Sequence, residues 1–530
     1  MDCQRCLPPQ PKESDINRTP RQKVIIVGAG AGGLSAAISA ASRGMDVTVL
    51  DRAATPGGKM RRLGVGGRQV DAGPTVLTMR WVFERLFEMA GTSLEARIRL
   101  NQARVLARHG WSDGAQLDLF ADVEESARAI EAFSNRANAQ GYRRFAAQSA
   151  AMFATLKPSY IDAQRPGPLS LIARIGPLNL KQQWALKPFS TLWSALGEHF
   201  SDPRLRQLFG RYATYCGSSP FQAPATLMLV AHAEQDGVWL AQGGMHGLAK
   251  SMETLAREMG VEFRYGADVS AIGSGRQGVT GLTLASGEQL LADRIIFNGD
   301  ISALKGLVDG TDTGVAPTPR PKRSFSALTF AMTARTSGFP LAHHTVFFSD
   351  DYRAEFETMS KRRAIPSSPT TYICAQDRDD AGKLNDADER ERMLFILNAP
   401  ADGDQTEFSD KETATCLDQA LALLSASGLE IEKSGMDCVP TTPAQFHQLF
   451  PATGGALYGR ASHGWTASFR RPGSRTRIPG LYLAGGSAHP GPGVPMATLS
   501  GMLAAESLAE DLASMRLSRP AVISGGMSTA

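Results

Sequence analysis

Cysteine is scarce in this 530-residue chain, with six residues at positions 3, 6, 216, 374, 416 and 438. They are too few and too scattered for a disulfide framework, which points to a reducing compartment. The one close pair, Cys3 and Cys6, has no second pair at zinc-site spacing, so no metal is expected there. His246 and the His343-His344 pair also stand without a third ligand at metal spacing and read as structural histidines. No stretch of eighteen consecutive strongly apolar residues occurs, which argues against a spanning helix. The charge sum, 56 basic against 52 acidic residues, leaves only +4. Without a local basic cluster, that balance gives no reason to expect nucleic acid as a partner. Tightly spaced acid pairs and His-carboxylate constellations are missing too. Residues 1–22 are polar and lack the apolar core of a secretory signal, so they read as a disordered leader.

Glycine is what the chain has in excess, 53 residues where an average composition carries roughly 7%. The most informative glycines follow Lys23-Val-Ile-Ile-Val27, an apolar run typical of a strand buried on both faces. They form Gly28-Ala-Gly30-Ala-Gly-Gly33, and a helix-compatible stretch leads on to a second buried strand that ends at Asp51. Each part has a physical task in holding a dinucleotide. Gly28 makes the tight turn, Gly30 lets backbone approach a pyrophosphate, Gly33 lets helix and strand pack closely, and Asp51 accepts from ribose hydroxyls. No second strand-GxGxxG-helix unit is present, so NAD(P) is not expected beside the first dinucleotide.

The residues after this fingerprint separate flavin from nicotinamide. Pro56-Gly57-Gly58-Lys59-Met60-Arg61 and Asp71-Ala-Gly73-Pro74 resemble the second and third segments of the flavin-containing amine oxidase and carotenoid desaturase superfamily. Pro479 to Gly485-Gly486, followed by Gly493-Val-Pro-Met496 and Gly501, resembles its closing flavin segment. Val76 to Arg80, Asp202 to Tyr215, Thr371 to Arg378 and Gly485 to Gly493 are similar to the 1-hydroxycarotenoid 3,4-desaturases of purple bacteria, sisters of the bacterial phytoene desaturases. The likeness runs from about residue 23 to about residue 515.

The resemblance implies an α/β fold with a discontinuous Rossmann-type FAD-binding domain, expected over 23–80, 241–310 and 465–515. An α+β substrate domain, with a helical lid or membrane-contact region, would fill 81–240 and 311–464, and a flexible tail 516–530. It implies FAD held by Gly28, Gly30, Gly33, Asp51, Gly57, Gly58, Lys59, Arg61, Val269, Gly485, Gly486 and Met496. Lys59 and Arg61 would supply positive charge near the pyrophosphate or the flavin N1, and Val269 would meet the adenine or simply be a buried strand valine. His489, Tyr212 and Tyr215 are candidates for proton handling or substrate hydroxyl recognition, and each can equally be a buried hydrogen-bonded core residue. The expected reaction is desaturation of an acyclic carotenoid, with oxygen or a quinone as electron acceptor. A phytoene desaturase, an amine oxidase and a non-enzymatic carotenoid-binding flavoprotein are the competing readings.

Residues 165–200 mix apolar and cationic side chains between prolines and glycines. Trp184, Phe189, Leu192 and Trp193 with Lys181 and Lys187 either dip into the headgroups of a cytoplasmic membrane face or form a lid on the protein's own core. Further along, Val261–Tyr265, Gly278–Leu284 and Arg294–Phe297 read as strands, with a Ser286-Gly287 hairpin turn between the last two.

Overall fold

The computed structural model describes residues 21–179, 186–384 and 390–517. Cys3, Cys6, Lys181, Trp184, nearly all of the expected leader and most of the expected tail lie outside them.

A five-stranded parallel sheet runs in the order Leu481–Leu483, Arg294–Phe297, Lys23–Val27, Asp46–Asp51, Glu262–Tyr265. Its strands come from stretches more than four hundred residues apart, and Ile25, Ile26, Val47, Val49, Ile295 and Ile296 are buried between helices and strands. This explains their continuous apolar sequence, since a parallel sheet is covered on both faces. The helix Ala31–Ala41 follows the first strand and is buried along nearly its whole length.

The last described helix, Val494–Leu517, packs on this first helix. The contact is possible because the facing positions carry almost no side chain. A Cβ on Gly501 would lie 2.0 Å from the Gly32 carbonyl oxygen, and the Ser35 hydroxyl donates to the Thr498 carbonyl at 2.6 Å.

A second, seven-stranded sheet has the order Asp437–Thr441, Ser326–Ala334, Glu391–Ala399, Thr371–Ala375, His344–Phe347, Val105–Gly110, Gln116–Phe120. All its pairings are antiparallel except that of His344–Phe347 with Val105–Gly110. Strand Ser326–Ala334 is buried at every position. Helix Val123–Phe133 packs on strand Gln116–Phe120 at the edge of this sheet and on helix Arg136–Leu156; the two helices are interrupted at Ser134-Asn135, where Asn135 caps the second by accepting from the Asn138 amide at 2.9 Å.

Two expectations need correction. The hairpin across Ser286-Gly287 pairs Gly278–Leu284 with Gln289–Leu291, whereas Arg294–Phe297 leaves it to join the parallel sheet between Lys23–Val27 and Leu481–Leu483. The amphiphilic stretch splits instead of presenting one face. Leu192 and Leu196 are fully buried, Trp193 packs on Phe221 with ring centroids 4.7 Å apart, and Lys187 pairs with Glu198. Leu169, Ile172, Leu178 and Phe189 are exposed, Leu178 almost completely at 94%.

The interhelical glycine contact generates a stability prediction. Gly501→Ala should destabilise the fold by about 1–3 kcal/mol, because the added methyl meets backbone that cannot rotate away. The check is a lowered Tm at fixed FAD concentration.

Candidate active site

The carboxyl ends of the parallel strands open into a cavity of about 1640 Å³ whose lining continues onto the seven-stranded sheet. A site for one small ligand is usually roughly 300–1,000 Å³, so this space has the volume for a cofactor and a substrate together. Its first half is built from the glycine turn. Gly30 precedes the first helix with extended backbone (φ −76°, ψ 179°), and a Cβ there would meet only the Asn298 side-chain nitrogen, at 3.3 Å, before 4.0 Å. The side facing the cavity is therefore open to a ligand. Gly33 is different. A Cβ there would lie 1.9 Å from the Gly28 carbonyl oxygen, so its lack of side chain serves the packing of turn on helix.

Asp51, at the end of the second strand, accepts from the Ala29 amide at 2.6 Å and the Ala53 amide at 2.7 Å. Burial raises its pKa above the ordinary value, against the pull of those two amides. Val269, on the neighbouring antiparallel strand, lines the same end of the cavity. The Gly57-Gly58 turn docks on the fingerprint through the Gly57 amide, which donates to the Ala29 carbonyl at 2.9 Å. Lys59 donates to the Leu457 carbonyl and stands 5.2 Å from the Phe450 ring centroid, and burial lowers its pKa. Arg61 donates to the Thr441 hydroxyl at 2.8 Å and lies over Phe446. Gly485, Gly486 and Met496 close the cavity from the C-terminal side.

Asn298 holds these segments together and is absent from the sequence reading. It follows strand Arg294–Phe297, donates to the Gly28 carbonyl at 3.0 Å, and sits where a Cβ on Gly32 or Gly485 would lie 2.4 or 2.8 Å from its carbonyl oxygen. The only signal for it was a polar residue directly after a buried strand.

The three catalytic candidates separate. His489 does not line the cavity: its Nε2–H donates to the Ala163 carbonyl at 2.9 Å, its ring packs edge-on against Tyr160, and burial pushes its pKa down to about 4. It is neutral at neutral pH and directed away from the expected reaction space. Tyr212 is buried behind the wall, whereas Tyr215 reaches the lining. Both hydroxyls donate to the same carboxylate, Glu234, Tyr215 at 2.8 Å. Arg211 donates to the Tyr215 hydroxyl at 2.5 Å and completes a buried charged group that the spacing did not reveal. Nearby, Glu355 accepts from the Thr370 hydroxyl at 2.6 Å, and burial raises its pKa to about 7.

The histidine pair is not as isolated as its spacing suggested. Strand pairing sets Cys374 opposite His344, so His343, His344 and Cys374 each bring a potential ligand atom within 4.8 Å of the others. The His343 Nε2 and Cys374 Sγ are 3.6 Å apart. His246 is engaged with the Met60 carbonyl at 2.9 Å.

A glycine turn with an open backbone face, an acid at the end of the second strand and a large adjoining cavity define a flavin-binding oxidoreductase. FAD fits these residues. The chain belongs to the flavin containing amine oxidoreductase family, whose profile matches residues 31–509, and within it to the hydroxyneurosporene desaturases. It is 51% identical to the hydroxyneurosporene desaturase of Rubrivivax gelatinosus over 96% of this chain and 97% of that one. It is 45% identical to that of Cereibacter sphaeroides, over 93% and 98%. The 4,4'-diapolycopene oxygenase of a Methylomonas species is 30% identical over 94% and 100%. Among solved structures, a putrescine oxidase bound to putrescine shares the fold with a TM-score of 0.58 and 14% identity, covering 94% of this chain and 100% of that one.

The two fingerprint glycines should fail differently. Gly30→Val is expected to purify folded but without yellow FAD, whereas Gly33→Ala, meeting backbone at 1.9 Å, should lower the Tm even with excess FAD. Absorbance at the flavin band and thermal unfolding separate the two. Glu355 yields a pH prediction. Its folded pKa is raised to about 7 from 4.5, so the folded state holds the proton more tightly and stability falls as pH rises between those values. Glu355→Gln should remove that slope and, above pH 7, recover up to about 3 kcal/mol in denaturant unfolding.

Proposed function

We propose that the protein is an FAD-dependent carotenoid desaturase that introduces the C3–C4 double bond into acyclic 1-hydroxy or 1-methoxy carotenoids. The observation that carries this reading is the single large cavity that joins the glycine cradle to an apolar space bordered by Leu156, Leu171, Leu186, Leu227, Leu229 and Val230. A rod of hydrocarbon suits that space, and the names of the relatives supply the substrate class. An amine substrate would need a carboxylate or aromatic cage beside the flavin, and the closing segment offers Gly486-Ser-Ala-His489 with the histidine buried and directed away from the cavity.

Bound FAD supplies a hydride acceptor at N5. Gly28, Gly30 and the turn at Gly57-Gly58 would hold the pyrophosphate against backbone, Gly33 would keep that turn packed on its helix, and Asp51 and Val269 would hold the adenosine end. Lys59 and Arg61 would supply positive charge to the flavin, and Gly485, Gly486 and Met496 would complete its site. The substrate loses a hydride from the allylic C4 and a proton from C3, so the two electrons of the C4–H bond depart and the C3–H pair becomes the new double bond. Charge developing at C4 spreads along the polyene, and a weak acceptor such as water suffices for the C3 proton. The electrons pass on to oxygen or a quinone.

The substrate enters from lipid at the cytoplasmic face of the membrane, where the protein docks peripherally. Among the described residues no helix is long and apolar enough to cross a membrane. Helix Pro168–Ile175 turns Leu171 inward while Leu169 and Ile172 face solvent. Phe189 is 76% exposed and its ring centroid lies 6.1 Å from that of half-exposed Trp465, a residue of the cavity wall. Insertion of these apolar groups contributes more than attraction between charges, because Arg174 is tied to the Ser159 and Gln164 carbonyls and Lys187 to Glu198.

The test uses purified protein with FAD and liposomes carrying a 1-hydroxy carotenoid. The expected product is two hydrogens lighter, and anaerobic substrate addition should bleach the flavin. A flavin that stays oxidised overturns the enzymatic reading. Leu169→Glu with Phe189→Glu should reduce both liposome sedimentation and turnover at least about 10-fold at unchanged FAD content, since two apolar side chains are lost from the interface. Unchanged sedimentation would place the docking surface elsewhere.

A further inference from the structure

The covered end of the cavity holds a charged group that hydrocarbon cannot satisfy. Arg211 is only 5% exposed and lines the cavity, yet its Nε and Nη2 donate no hydrogen bond. Nη2 stands 3.5 Å from the Glu234 carboxylate, an ion pair without a hydrogen bond, and only Nη1 is engaged, on the Tyr215 hydroxyl. Glu234 is already occupied by the hydroxyls of Tyr212 and Tyr215. The Tyr352 hydroxyl, in the same lining, also has no partner and feels the Arg211 charge. Buried donors left unpaired cost about 1–3 kcal/mol each, so two on one guanidinium and a phenol beside them point to a ligand oxygen.

The position agrees with the reaction. Arg211 acts electrostatically on Tyr372, whose hydroxyl is 2.7 Å from that of Thr75. Thr75 follows Gly73 by two residues, and a Cβ on Gly73 would lie 1.9 Å from the Lys59 carbonyl. The unpaired donors, Tyr372, Thr75 and the turn at Gly73 and Lys59 all line the one cavity.

Resting on the desaturase reading, we infer that Arg211 binds the oxygen at C1 of the substrate, so that the oxygenated end enters first and C3–C4 stops beside the flavin. Guanidinium donates and cannot accept, so it binds an alcohol and a methyl ether alike through oxygen lone pairs. Tyr352 adds an acceptor that an alcohol uses and an ether cannot. The order of preference is therefore hydroxy, then methoxy, then the hydrocarbon that lacks oxygen.

The test compares kcat/KM on these three substrates in liposomes, with FAD content measured on every sample. Arg211→Lys retains the charge but loses the fork, and Arg211→Met combined with Glu234→Gln removes both buried charges together. Each should reduce the ratio of hydroxylated substrate to hydrocarbon about 10- to 100-fold, the effect of one or two charge-assisted hydrogen bonds. An FAD-loaded variant that keeps the ratio of the natural protein within two-fold overturns the assignment. A natural protein that converts none of the three overturns the desaturase reading itself and the assignment with it. Should neither Arg211 variant retain FAD, Tyr352→Phe decides: the preference of hydroxy over methoxy disappears if the assignment is right and persists if it is wrong.

Discussion

Close approach of backbone to backbone around Asn298 is the constraint on which the rest of the structure depends. The first glycine turn, the end of strand Arg294–Phe297 and the turn at Gly485 meet within van der Waals contact, and Gly32 and Gly485 leave no room for a Cβ between them. Directly behind, Gly501 rests on the Gly32 carbonyl. One side chain in this knot would part the two ends of the chain, and with them the walls of the flavin half of the cavity. The amide of Asn298 is the right group for the centre, since it donates to Gly28 while its own oxygen lies among the glycines.

The opposite half of the cavity follows a different rule. Its walls are mostly aliphatic, so a buried guanidinium and carboxylate there carry a desolvation penalty that geometry must offset. Glu234 achieves this by accepting from two tyrosines, which burial holds above their ordinary pKa and so keeps protonated as donors. Burial alone would lower the Arg211 pKa, but the nearby Tyr215 and Glu234 groups outweigh it, and the guanidinium remains charged. Two kinds of site thus share one cavity, a backbone cradle suited to phosphates and a polar pocket inside an apolar tunnel.

Legibility in the sequence followed the range of the interaction. The strand Lys23–Val27, the turn Gly28–Gly33 and Asp51 lie within one βαβ unit, and short-range rules of strand burial and turn geometry were enough to set them in order. The placement of Gly485, Gly486 and Met496 beside them came from motif resemblance, because nothing local in Leu481–Leu483 says which strand it pairs with. His489 shows the limit of that kind of inference. It stands in the right motif, yet its imidazole faces Ala163 because backbone direction at that turn depends on residues 160–163 packed behind it.

Residues 165–200 make the same point about surfaces. Their alternation of apolar and cationic groups fits a lid and a membrane face equally, and packing divides them: Leu192 and Trp193 go inward while Leu169 and Phe189 stay outside. Cys374 came to His343 and His344 through antiparallel strand pairing, across about thirty residues of chain. By itself the sequence determined the dinucleotide turn, the buried parallel strands and the family, all properties carried by consecutive residues. The pairing of Arg211 with Glu234, the orientation of His489 and the hub at Asn298 were decided only by the tertiary structure, because burial and hydrogen-bond partners depend on which surfaces meet, and spacing along the chain does not encode that.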